Sequence, residues 1–142
     1  MLAKVVLGAE VVVPLYIEGL CAGFPSPADD YIDERIDLAR LLVRNPAATF
    51  LWRVSGWSMK DAGIYDKDIL VVDRSLQPRH NDVVVAIVNG ERSLKRLLVE
   101  GGRPRLVFEN KALPSFTLPE LAEIEIWGVA RCNVHMLRKG RS

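Results

Sequence analysis

The sequence predicts a mainly β fold: a compact β-sheet body over residues 46–142, preceded by a long extended N-terminal arm. Three observations predict it. From Thr49 onward, short runs rich in β-branched, leucine and aromatic residues alternate with Gly, Asn and Pro, the spacing of strands and turns. A single segment, around Leu38–Leu42, carries convincing helix signals. Residues 19–27 gather Gly19, Gly23, Pro25 and Pro27, the sharpest composition break in the chain and the mark of a linker or exposed loop.

The elements follow in order. Lys4–Ile17 carries Val5-Val6 and Val11-Val12-Val13 and reads as extended chain, with Pro14 limiting its pairing. After the linker, Asp37 is placed to cap a short helix through Leu38, Leu41 and Leu42, which ends before Pro46. Expected strands are Thr49–Val54, Asp68–Asp73, Asp82–Val88, Ser93–Val99, Arg105–Phe108 and Glu123–Arg131. Val88-Asn89-Gly90-Glu91 is a hairpin signal, because Asn-Gly accepts the positive φ of a type I′ turn. The last strand, Glu123–Arg131, is apolar enough to suggest an edge hidden in a symmetric dimer. The resulting division is a removable segment 1–22, an extended arm with a short helix over 23–45, and the β body over 46–142.

Composition narrows the function. The 142 residues suffice for one domain with a real core. Nineteen basic against 18 acidic residues leave a net charge of +1, which carries no electrostatic footprint for nucleic acid. Two cysteines, Cys21 and Cys132, make no disulfide framework and no metal pair, which fits a reducing cytoplasm. His80 and His135 are isolated and read as ordinary surface or packing residues; no metal or cofactor is expected. Leu20-Cys21-Ala22-Gly23 has the small residues of an export cleavage site, but Glu10, Pro14 and Glu18 interrupt the apolar core a signal peptide needs. No stretch reaches the ~20 apolar residues of a membrane-spanning helix.

Two side chains are candidates for chemistry. Ser58 lies in Ser55-Gly56-Trp57-Ser58-Met59, directly after a strand, where a turn can present its hydroxyl with backbone N–H groups as oxyanion donors. On local sequence alone an ordinary turn serine is the commoner reading. Lys95 lies in Ser93-Leu94-Lys95-Arg96-Leu97-Leu98-Val99. Strand alternation puts Ser93, Lys95, Leu97 and Val99 on one face, so Leu97 and Val99 are placed to bury the amine. Burial lowers a lysine pKa because the charged form loses its hydration. Reaching pH 7 from ~10.4 corresponds to roughly 4–5 kcal/mol. Periodicity alone leaves this reading level with a lysine on an exposed edge.

Larger blocks decide between them. Val54-Ser55-Gly56-Trp57-Ser58-Met59 with Gly63-Ile64-Tyr65-Asp66-Lys67-Asp68-Ile69-Leu70-Val71-Val72-Asp73 resembles the nucleophile block of the LexA-like serine peptidases. Asn81-Asp82-Val83-Val84-Val85-Ala86 with Gly90-Glu91-Arg92-Ser93-Leu94-Lys95-Arg96-Leu97 resembles their lysine block, and Lys95 follows Ser58 by the 37 positions that family uses. Glu109-Asn110, Pro114 and Ile126-Trp127-Gly128-Val129 also match. Lys67 and Asn81 stand where glycines are common in the family; Asn accepts positive φ readily, Lys less so. Within the family, Cys21 to Tyr31 and Arg35-Ile36-Asp37-Leu38 resemble the arm of the UmuD-like branch, and too few residues precede the linker for the helix-turn-helix domain of a repressor.

The resemblance implies a compact curved β-sheet body and a self-cleaving serine endopeptidase. In it Ser58 is the nucleophile, Lys95 the base, the Trp57 and Ser58 N–H groups the oxyanion donors, and Ala22–Gly23 the bond cut. It further implies a homodimer, stimulation by a RecA filament on single-stranded DNA, and a UmuC-like translesion polymerase as partner in the SOS response. Two other readings stay open: a dimeric polymerase accessory factor whose dyad is vestigial, and a truncated repressor, which the near-neutral charge disfavours.

Overall fold

A computed structural model describes residues 3–4, 8–16, 23, 32–115 and 123–138. The chain divides into two compact units, one of Met1–Val6 with Asn45–Ser142 and one of Leu7–Arg44.

The larger unit is a seven-stranded antiparallel sheet. Its strands are β1 (Ala3–Lys4), β4 (Thr49–Arg53), β5 (Ile69–Asp73), β6 (Val83–Val88), β7 (Glu91–Glu100), β8 (Arg103–Val107) and β9 (Ile124–Val134), in the order β1-β4-β5-β9-β6-β7-β8. The β6–β7 turn is the expected type I′ hairpin: Asn89 and Gly90 have φ of 50° and 80°, and Val88 pairs with Glu91. The last strand departs from expectation. It does not lie at an edge, but runs through the middle of the sheet between β5 and β6, so it offers no free ladder to a second copy. The two edges are β1 and β8.

Strand β9 also bends the sheet. Its register skips Arg131 opposite Val71/Val72 and Trp127 opposite Val85/Ala86. Each extra residue is a bulge, which adds local twist and curvature. Gly128 sits beside the second bulge, where a Cβ would stand 2.6 Å from Val72 Cγ1. The absence of a side chain there lets the strands close.

Alternation divides the buried residues between the two faces of the curved sheet. One face holds Val84, Ala86, Val88, Leu97, Leu106 and Val129. The other holds Leu70, Val72 and Val85, together with Met59 and Ile64 from the β4–β5 connection. Each valine, leucine, isoleucine or methionine among them contributes about 1.5–3 kcal/mol when fully buried.

The smaller unit pairs β2 (Val12–Tyr16) with β3 (Ile32–Asp37) in an antiparallel ribbon and adds helix α1 (Leu38–Leu42). Pro14 stands opposite Arg35; a two-stranded ribbon leaves one side of each strand unpaired, so the missing N–H is tolerated. Asp37 caps α1 as expected, its Oδ1 accepting the Arg40 N–H at 3.4 Å. Of the two residues expected to flank the cut, Ala22 lies outside the described residues. Gly23 is exposed, and among the described residues nothing lies within 4 Å of where a Cβ would stand.

Candidate active site

Ser58 stands in the connection from β4 to β5, which its own backbone closes. Val54 donates to the Asp68 carbonyl and accepts from the Lys67 N–H, both at 2.8 Å. Gly56 turns the chain at φ 94°, and its N–H donates to Asp66 Oδ1 at 2.7 Å. Lys67 holds φ 73°, so the lysine does adopt the conformation for which the family commonly uses glycine; Asn81 does so as well, also at 73°. Met59 is buried at 2 % exposure and anchors the turn in the core, which leaves the neighbouring Ser58 half-buried.

A second segment grips this turn. Glu109 donates its N–H to the Ser58 carbonyl at 3.0 Å and accepts the Asp61 N–H at 2.6 Å. Asn110 Nδ2 donates to the Trp57 carbonyl at 2.7 Å, and the Lys111 N–H donates to Asp61 Oδ2 at 2.6 Å. None of these bonds uses the N–H of Trp57 or of Ser58.

The same segment touches β7. Glu109 Oε1 accepts from Arg96 Nε at 2.8 Å, and the Phe108 ring centroid lies 4.4 Å from Lys95 Nζ. Phe108–Asn110 therefore contacts the Ser58 turn on one side and the Lys95–Arg96 pair on the other.

Lys95 is buried at 2 % exposure. It pairs across the ladder with Val84, which is wholly buried, and Leu97 on the same face is buried as expected. Val99 is not: at 36 % exposure it lies beyond the covered stretch, and Phe108 supplies the apolar contact instead. Lys95 Nζ donates to Ser93 Oγ at 2.6 Å. Burial holds the lysine pKa below its ordinary value. An amine so placed sheds its proton at lower pH than a surface lysine does, which is the property a general base requires.

Reading of the sequence placed Ser93 on the Lys95 face without giving it a role, and it missed Phe108. The Phe108 signal lay in the β7–β8 hairpin, whose register pairs Arg96 with Val107 and so brings the next residue opposite Lys95.

A cavity of about 200 Å³ is lined by Trp52, Val54, Leu70, Val85, Arg92 and Leu94, with Arg53 and Ser93; Arg92 and Leu94 flank Ser93 on β7, and Leu70 and Val85 belong to the face opposite the one that buries Lys95. Arg92 lies over the Trp52 ring at 5.3 Å. Trp52 Nε1 is buried with no hydrogen-bond partner among the described residues. The cavity thus has largely apolar walls.

On the far side of the turn, Asp68 is buried at 2 % exposure and accepts from the Tyr65 N–H at 2.9 Å and Asn133 Nδ2 at 2.8 Å. Its other oxygen meets His135 Nδ1 at 2.5 Å, and the His135 ring packs on Tyr65. His135 therefore ties the end of β9 to the loop that carries Ser58.

The curved antiparallel sheet, with a serine turn and a buried lysine, has the architecture of the LexA-like peptidases. Comparison with known proteins agrees: residues 14–131 match the Peptidase S24-like family, and the chain belongs to that family. It is 46% identical to protein MucA of Salmonella typhimurium over 118 residues, covering 82% of this chain and 80% of that one. It is 43% identical to protein ImpA of Shigella flexneri over 129 residues, 90% of this chain and 87% of that one. The LexA repressor of Pseudomonas chlororaphis is 37% identical over 107 residues, which are 75% of this chain and 48% of the repressor. The chain is thus UmuD-like within the family.

Proposed function

We propose that this chain is a self-cleaving Ser–Lys peptidase of the UmuD type, cutting its own Ala22–Gly23 bond. The observation that carries the reading is the buried Lys95, whose pKa burial lowers, on a strand bound through Glu109 and Arg96 to the turn that holds Ser58. Neutral Lys95 takes the proton of Ser58 Oγ, and the oxygen attacks the Ala22 carbonyl. The Trp57 and Ser58 N–H groups, which the turn's own bonds leave unused, hold the oxyanion. Lys95 then protonates the leaving amine of Gly23, and water hydrolyses the acyl-enzyme.

The UmuD-like resemblance extends the reading to biology. A RecA filament on single-stranded DNA stimulates the cut, and the trimmed homodimer serves a UmuC-like translesion polymerase during SOS mutagenesis, in the cytoplasm. Among the described residues no helix is long and apolar enough to cross a membrane.

The test is mass analysis of the purified chain before and after incubation with an activated RecA filament, alongside Ser58→Ala. The expected result is a product beginning at Gly23, absent from the variant. A chain that stays intact under every condition would leave an accessory factor with a vestigial dyad.

A further inference from the structure

The two edges of the seven-stranded sheet are defended differently. β8 has the sequence Arg103-Pro104-Arg105-Leu106-Val107, and a proline and two arginines at an edge discourage pairing with another chain. β4 has none of this protection over most of its length. Thr49-Phe50-Leu51-Trp52 carries no charge and no proline, and Arg53 comes only at its end. An undefended apolar strand next to an edge is tolerated where something covers it. Here the cover is β1: Ala3 pairs with Leu51 and Lys4 with Phe50. The cover lies on the far side of the Ala22–Gly23 bond from the rest of the sheet.

We propose that the β4 edge is an interaction strand that the N-terminal segment keeps closed, and that loss of residues 1–22 opens it to an extended segment of a partner protein. The proposal rests on the reading that the chain is cut at that bond. The occupant it fits is an antiparallel strand of the kind that Ala3 and Lys4 exemplify in the intact chain, small and uncharged opposite Leu51 and basic opposite Phe50. Phe50 and Trp52 project on one face of β4, both packed edge-on against Trp127, and give such a strand an aromatic floor.

The cover depends on its tether. Among the described residues β1 pairs with β4 at two positions. Among the described residues β2 also pairs with β3 across the bond, with all five β2 residues exposed, and Glu10 meets Arg40 at 3.7 Å as a surface ion pair; a two-stranded ribbon by itself is marginal in water and exposed ion pairs contribute little. While the chain is continuous these weak contacts are intramolecular; once it is cut, their high effective concentration is lost.

The test uses the full chain carrying Ser58→Ala, with a recognition sequence for a site-specific protease inserted between Ala22 and Gly23. Cutting then does not depend on the chain's own chemistry. Self-cleavage is judged separately, by whether the unaltered chain yields the Gly23 product. Amide exchange is followed in β4, where one of the adjacent Phe50 and Leu51 N–H groups faces β1. That amide is expected to be protected in the intact chain and to lose protection after cutting and dialysis. A synthetic peptide of residues Met1–Glu10 should bind the cut form, restore the protection, and leave the intact form unbound; a scrambled peptide should do none of this. Equal exchange before and after cutting, or no binding of the Met1–Glu10 peptide to the cut form, would overturn the proposal.

Discussion

Lys95 Nζ donates a hydrogen bond to Ser93 Oγ, 2.6 Å away and two residues back on the same face of β7. The bond points the amine along the strand and gives the charged form a polar partner. On the proposed mechanism Ser93 positions the base. Ser93→Ala should slow self-cleavage by roughly 10- to 100-fold, because misplacing a reacting group by an ångström costs on that order. Ser93→Thr, which keeps the hydroxyl, should recover most of the rate. Equal rates for all three proteins would remove Ser93 from the account.

Burial of Lys95 also has a stability signature that needs no cleavage. Its folded pKa is depressed, so below that pKa the amine is charged in both states and the native state carries the cost of desolvation. Between the depressed folded value and the unfolded ~10.4 the unfolded state binds more protons, and stability rises with pH. Lys95→Met should therefore raise the urea midpoint at pH 6, with a gain that shrinks as pH climbs towards 10. A gain independent of pH would mean that the folded amine titrates as a free lysine.

Asp68 has the opposite sign. Burial works to raise its pKa, but the Tyr65 N–H and the His135 and Asn133 side chains outweigh it and hold the carboxyl below the ordinary value. The stabilisation is fully present above the unfolded pKa of ~3.9 and is lost as pH falls through the depressed folded value. Asp68→Asn should cost about 1–3 kcal/mol at pH 7, and the difference from the parent should close in strong acid. Urea unfolding of both proteins from pH 7 to pH 2 measures this.

Backbone geometry gives two further outcomes of opposite direction. Gly128→Ala puts a Cβ 2.6 Å from Val72 Cγ1 inside the core and should destabilise by about 1–3 kcal/mol. Lys67→Gly relieves a side chain held at φ 73° and should stabilise by up to about 1 kcal/mol, the usual left-handed penalty less the added freedom of the unfolded chain. Thermal or urea unfolding of the two variants separates the effects.

Much of this was legible in the chain itself, for identifiable reasons. The Asn89-Gly90 turn and the Asp37 cap are short-range chemistry, and both formed where the residues called for them. Burial of Lys95 and Leu97 followed from period-two alternation, which also misplaced Val99, because alternation does not say where a strand leaves the covered part of a sheet. The central position of β9 was not legible: an apolar strand reads alike whether it lies at an edge or inside. Nor was the role of Glu109, whose three contacts reach residues 13 to 51 positions away, beyond any local pattern. The pairing of Ala3 with Leu51 is hidden for the same reason.

The central claim is that Lys95 acts as a base towards Ser58, and Lys95→Arg tests it most directly. Arginine keeps the positive charge but does not release its proton at accessible pH. The measurement is the rate at which the Gly23 product appears, by mass, from the parent, Lys95→Ala and Lys95→Arg chains between pH 7 and pH 10. The parent rate should climb with pH as more Lys95 becomes neutral. Both variants should be inactive throughout, a loss of at least about 100-fold. A Lys95→Arg chain that still releases the fragment at an appreciable rate would contradict the claim.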